Sequence, residues 1–147
     1  MTEPLREDLC DLPLLDVADK IRTRQISPVD VTERVLARID AHDDTLNAFI
    51  TILSEQARQD AREAEREILA GRYRGPLHGV PVSIKDLFVT KGIRTTAGSR
   101  VLADYVPDHD ATVVERLRTA GAIVVGKTNM LGSGTQWHSP DRSRLLG

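Results

Sequence analysis

Residues 121–128 read GAIVVGKT, and the fold turns on what this octapeptide is. It fits GxxxxGK[ST], the pattern of a loop whose backbone amides cradle nucleotide phosphates. Such a loop needs a strand before its first glycine, an irregular turn between the glycines, and a helix opening at the lysine. Here the order is inverted. Upstream, DATVVERLRTA (110–120) has a helical period, with Asp110 as N-cap and Val113, Val114, Leu117 and Ala120 as the apolar face. Gly121 ends that helix, residues 122–125 have the β-branched density of a buried strand, and Gly126, Lys127 and Thr128 follow at the strand's end. A segment that is itself a strand cannot wrap a phosphate, so the octapeptide argues against nucleotide binding.

Working outward, GPLHGVPVSIKD (75–86) carries glycine and proline punctuation and then a short apolar run, 80–84, of buried-strand character. A loop rich in Thr, Gly and Ser follows, TKGIRTTAGS (90–99). Strand, crossover helix, strand is the parallel α/β unit, and its crossover is right-handed.

The first half reads as helices. Ser27 and Pro28 supply an N-cap and a first-turn proline, Asp30 stands at N3, and Ile26 with Val31 occupies the two positions of a hydrophobic staple. Val31, Val35 and Ile39 continue as one stripe. Residues 53–70 space Leu53, Ala57, Ala61, Ala64 and Ile68 along one face of a long helix that Gly71 ends, its many charges forming a solvated face. An earlier helix over 14–24 turns Leu14, Val17, Ala18 and Ile21 inward. The chain is therefore expected to be α/β: a helical N-terminal arm over 1–74, then over 75–147 the first βαβ part of a mixed, largely parallel sheet, the two sharing one core.

Composition removes several function classes. With 147 residues, 40% hydrophobic and no long apolar run, a globular cytoplasmic chain without a membrane span or secretory leader is expected. A net charge of −2 and 3% aromatic residues offer neither a basic groove nor stacking platforms for nucleic acid. Cys10 is the only cysteine, and His42, His78, His109 and His138 stand apart, each read as a surface or turn residue, so no metal site is expected.

One lysine stands out by position. Lys85 directly follows the apolar run 80–84, at the C-terminal strand edge where open α/β sheets bind ligands. Partly apolar surroundings there would favour the neutral amine, a base able to take a proton from a serine. The competing reading is a strand-end lysine that snorkels to water or pairs with Asp86.

Residues 75–130 closely resemble the amidase signature family, which includes free amidases and the A subunit of glutamyl-tRNA(Gln) amidotransferase. GPLHGVPVSIKD, TTAGS (95–99), DATVVERLRTAGA from Asp110 and GKTNM from Gly126 carry the resemblance, and SPVDV and LNAFI look like the family's N-terminal arm. The resemblance implies amide hydrolysis by a Ser, cis-Ser, Lys triad, with Lys85 at the lysine's place and no metal or organic cofactor. Both family serines and the oxyanion-hole amides lie in a GGSSGGS-type segment that these 147 residues lack. Ser27, Ser54, Ser83, Ser99, Ser133, Ser139 and Ser143 do not sit in that context, and Ser133 in LGSGT reads as part of a turn over 132–134.

The expectation is therefore an N-terminal amidase fragment, catalytically incomplete alone, that acts on a small-molecule amide when completed. One part of a split amidase or amidotransferase, with self-association or a complementing subunit, and a non-catalytic interaction module are the alternatives. The substrate is not legible.

Overall fold

A computed structural model describes residues 8–130. After a 3-10 turn at Leu9–Asp11 come helix α1 (Leu14–Arg22), helix α2 (Pro28–Leu46), strand β1 (Phe49–Ile52), helix α3 (Ser54–Leu69), strand β2 (Pro81–Lys85), helix α4 (Thr112–Thr119) and strand β3 (Ile123–Thr128). The sheet runs β1-β3-β2, with β2 parallel and β1 antiparallel to β3.

The α2 entry forms as its sequence dictates. The Ser27 hydroxyl accepts from the Asp30 amide at 3.0 Å, and Ile26 and Val31 join one apolar cluster with Val17, Ala18, Ile21, Ile68 and Val80. Leu14, assigned to the inner face of α1, is 45% exposed, because the helix turns its buried side through Val17, Ala18 and Ile21. At the far end of α2, Asn47 adopts the left-handed conformation, and Asp43 Oδ1 accepts from the amides of Ala48 (2.8 Å) and Phe49 (3.0 Å). Those bonds reverse the chain into β1, a strand the sequence pattern did not disclose. Four residues between two helices are too few to show a period of two.

Strand β3 is the centre of the molecule. Ile123 and Val125 pack with Leu36, Ala57 and Ala61 from α2 and α3, while Val124 packs with Ile84 and Val114 on the α4 side. Both faces are covered, which is why this strand reads as a continuous apolar run. Residues from both halves of the sequence meet in these clusters. The small Ala57 and Ala61, both fully buried, let α3 lie close against the sheet.

Three details of 110–128 differ from expectation. Ala111, not Asp110, stands at the N-cap position of α4; Asp110 instead accepts from the Lys91 amide at 2.7 Å and pairs with Arg118 at 3.3 Å. Val113 is 41% exposed, and Val114 with Leu117 makes the inner face. Strand β3 continues through Lys127 and Thr128 rather than stopping at Val125. The close of α4 follows the sequence reading: Gly121 has φ +83°, its amide donates to Arg118 O (2.9 Å) and the Ala122 amide donates to Leu117 O (3.0 Å), a paired left-handed cap.

His78, read as a surface or turn residue, is 1% exposed. Its Nδ1 accepts from the Arg74 amide at 3.1 Å, its Nε2 lies 3.1 Å from Glu67 Oε2, and its ring stacks on Tyr73 at 5.9 Å. A Cβ on Gly121 would come within 2.4 Å of the His78 ring. The imidazole thus fastens α3, the entry to β2 and the α4–β3 turn together. Burial pushes its pKa down, the Arg74 charge adds to this, and Glu67 opposes both. Among the described residues, no helix is long and apolar enough to cross a membrane.

Candidate active site

Strand alternation sorts the residues of SIKD. Ser83 and Lys85 are exposed, while Ile84 and Asp86 are buried. Ile84 is the register partner of Lys127 and Lys85 that of Thr128, so Ile84, Asp86 and Lys127 share the α4 face and Lys85 stands on the other. Lys85 is the last residue of β2, at the carboxyl end of a parallel pair. Its carbonyl accepts from the Phe88 amide at 2.9 Å, closing a tight turn, and the Asp86 amide donates to Thr128 O at 3.0 Å.

Two expectations about this lysine need correction. The described residues do not supply the partly apolar surroundings expected of it: Lys85 is exposed. Nor does it pair with Asp86, whose carboxylate is buried while Lys85 is exposed.

The partner of Asp86 is Lys127, whose side chain is fully buried, as is that of Asp86 itself. Lys127 Nζ donates to Phe88 O at 2.9 Å and to Thr95 Oγ1 at 2.8 Å, and lies 3.3 Å from Asp86 Oδ1. The other carboxylate oxygen, Oδ2, accepts from the Thr96 amide (3.0 Å) and the Thr96 hydroxyl (2.6 Å). The Asp86 carbonyl takes the Ala97 amide at 3.1 Å. Burial pushes the Lys127 amine down, and the charge of Asp86 and a hydrogen bond to it push back. The Thr95 hydroxyl in turn donates to Ile93 O at 3.1 Å.

This buried pair answers the nucleotide question in physical terms. The lysine of GAIVVGKT is committed inside the protein, and Gly126 serves packing: a Cβ there would lie 2.5 Å from Thr51 O and 2.8 Å from Phe49 Cδ1. The glycine admits β1, not a phosphate.

Sequence reasoning singled out Lys85 and passed over Lys127, Thr95, Thr96 and His78. The available signal was a lysine in register with apolar neighbours of a buried strand, since such a charge must find a counter-ion and SIKD offers one. Among the serines, Ser27 and Ser99 spend their oxygens as caps, the latter accepting from Val101 N at 3.2 Å. Ser133 and the turn assigned to 132–134 lie outside the described residues, as do Ser139 and Ser143. No group of three or more His, Cys, Asp or Glu among the described residues could hold a metal ion.

The amidase family pattern matches residues 30–139. The chain is 48% identical to the A subunit of the glutamyl-tRNA(Gln) amidotransferase of Anaeromyxobacter dehalogenans, over all of this chain and 32% of that protein. It is also 48% identical to the corresponding amidotransferase chain of Geobacter sulfurreducens, over 83% of this chain and 25% of the other. Among solved structures, the peptide amidase of Stenotrophomonas maltophilia superposes with a TM-score of 0.76 and 38% identity, covering 82% of this chain and 25% of that one. A bacterial aryl acylamidase gives a TM-score of 0.74 at 30% identity, over 80% and 25%. The chain thus spans between a quarter and a third of the length of these relatives. With the family pattern covering most of its length and 82% of it superposing on a solved amidase, this chain belongs to the amidase signature family.

Proposed function

We propose that this chain is the N-terminal part of an amidase-type hydrolase that cleaves carboxylic amide C–N bonds, with Lys85 as the base of a Ser, cis-Ser, Lys triad. The observation that carries the reading is the placement of Lys85: it ends a parallel strand, its carbonyl is held in a tight turn, and its side chain is exposed at that strand end, on the side opposite the buried Asp86. In the proposed mechanism the neutral amine takes a proton through a bridging serine from the nucleophilic serine, which attacks the carbonyl. Ammonia or an amine leaves, and water then frees the acid. Both serines and the oxyanion-hole amides would come from a segment outside these 147 residues, which would also desolvate Lys85. The reaction as proposed uses no metal or organic cofactor.

A second arrangement, a split enzyme completed by another polypeptide or copy, is favoured by one feature. Leu87, Phe88, Val101, Leu102, Tyr105 and Val106, all between β2 and α4, are exposed apolar residues, 92% exposed at Val101.

The test is ammonia release from aliphatic, aryl and amino-acid amides and from glutamine. It would be run on the purified chain and on the chain joined to a GGSSGGS-containing remainder of a relative. The chain alone should be inactive and the completed protein active. Lys85→Ala should then lower turnover roughly 10²–10⁴-fold, the range for losing a general base. Full activity of the Lys85→Ala protein would remove the proposal, and activity of the chain alone, lost with Lys85, would move the nucleophile into it.

A further inference from the structure

The buried Asp86–Lys127 pair lies directly beneath the proposed base, and resting on that reading of Lys85, we infer that Asp86 and Lys127 are its positioning residues. Three connections make the case. Lys127 Nζ holds Phe88 O at 2.9 Å, and Phe88 N holds Lys85 O at 2.9 Å, so the ammonium fastens the turn in which Lys85 sits. Asp86, the next residue in the chain, receives both the amide and the hydroxyl of Thr96 and anchors the loop 95–98 beside that turn. The same ammonium binds Thr95 Oγ1 at 2.8 Å, so a single cation ties the strand end, the turn and the loop.

The pair also sets the charge under Lys85. Side by side, carboxylate and ammonium are close to neutral toward the opposite face of the strand. An interior-facing ion pair confers no large net stability over apolar residues of the same size, so a role for it in holding the neighbouring site is economical.

The experiment uses the whole 147-residue chain and three variants, Asp86→Asn, Lys127→Met and the double variant. Acylation of Lys85 by dilute acetic anhydride at one fixed pH, followed by peptide mass mapping, reads the fraction of neutral amine at that side chain. Hydrogen exchange reads the turn and loop. Lys127→Met leaves the carboxylate unopposed, and Lys85 acylation should slow several-fold. Asp86→Asn leaves the ammonium unopposed, and acylation should quicken by a similar factor. In the double variant the rate should return to within about twofold of the parent. In both single variants the Phe88 and Thr96 amides should exchange at least about tenfold faster, with the Ile123 amide, bonded to Val80 O at 2.9 Å, unchanged.

A merely structural pair would move acylation in the same direction in both single variants, and that result, or unchanged rates, would overturn the inference. Acceleration of all amides together would do the same, by showing that the pair supports the whole fold and not the site. Failure of Lys85 as the base is seen separately, in the ammonia assay with Lys85→Ala, which leaves the acylation cycle interpretable.

Discussion

Replacing Gly126 by alanine tests whether the octapeptide GAIVVGKT is a packed strand. The new Cβ would meet Thr51 O at 2.5 Å and Phe49 Cδ1 at 2.8 Å. Ordinary contact begins at 3.4 Å, so the β1 backbone must retreat by about 0.9 Å. That carbonyl belongs to a residue paired with Lys127, between two close backbone bonds, Leu53 N to Val125 O at 2.9 Å and Asn129 N to Ala48 O at 2.7 Å. It cannot yield without stretching the ladder. Overpacking of this kind costs about 1–3 kcal/mol, and each weakened backbone bond adds about 1 kcal/mol, so a loss of roughly 2–4 kcal/mol is expected. Urea unfolding followed by far-UV circular dichroism should show the midpoint falling by roughly 1–2 M. Gly92→Ala is the control: nothing lies within 4 Å of its added Cβ, and only its φ of +72° is unfavourable, at a cost of about 1 kcal/mol. If Gly126→Ala proves no more costly than Gly92→Ala, the close approach of β1 to β3 is wrong. A phosphate loop would behave in the opposite manner, keeping its stability and losing its ligand.

Other outcomes follow from the same structure. Since burial holds the folded His78 pKa below that of the unfolded chain, the unfolded state takes up the proton first on acidification. The stability contributed by neutral His78 is complete above about pH 6.5 and is lost below it by up to about 1.4 kcal/mol per pH unit. Urea midpoints for the parent and His78→Gln between about pH 7.5 and 5.5 should diverge accordingly, and equal slopes would exclude His78 as the cause. Ser27→Ala removes the acceptor of the Asp30 amide and should cost about 1 kcal/mol in the same assay, whereas Ser27→Asp should retain most of the cap. Calorimetric titration with ATP or GTP and magnesium should give no binding heat. Tight binding of either would contradict the burial of Lys127.

Much of the fold was legible because its signals are local. The Ser27-Pro28 entry, the alanine face of α3 and the glycine that closes α4 are each set within a few residues, and each appears in the structure. Strand β1 was not legible, since four residues gain their strand conformation by pairing with β3, more than 70 positions away. The misassigned cap at Asp110 has a similar origin. Its carboxylate satisfies the Lys91 amide and Arg118, partners that tertiary folding brings near.

For the candidate site, the sequence by itself determined that Lys85 ends a buried-type strand before a glycine-rich loop, and its resemblance to known amidases pointed to that residue as the base. Order along the chain suffices for such a conclusion, because strand periodicity and end position are properties of neighbouring residues. Only the tertiary structure decided which lysine is buried. SIKD and GKT each present a lysine at a strand's end, and their sequences do not distinguish the two. The register Ile84 to Lys127 does, turning Lys127 inward to a carboxylate and two oxygen acceptors while Lys85 faces out. The physical reason is that an ammonium survives burial only where partners converge on it, and these come from the residue that follows β2, the turn there and the loop at 95–98.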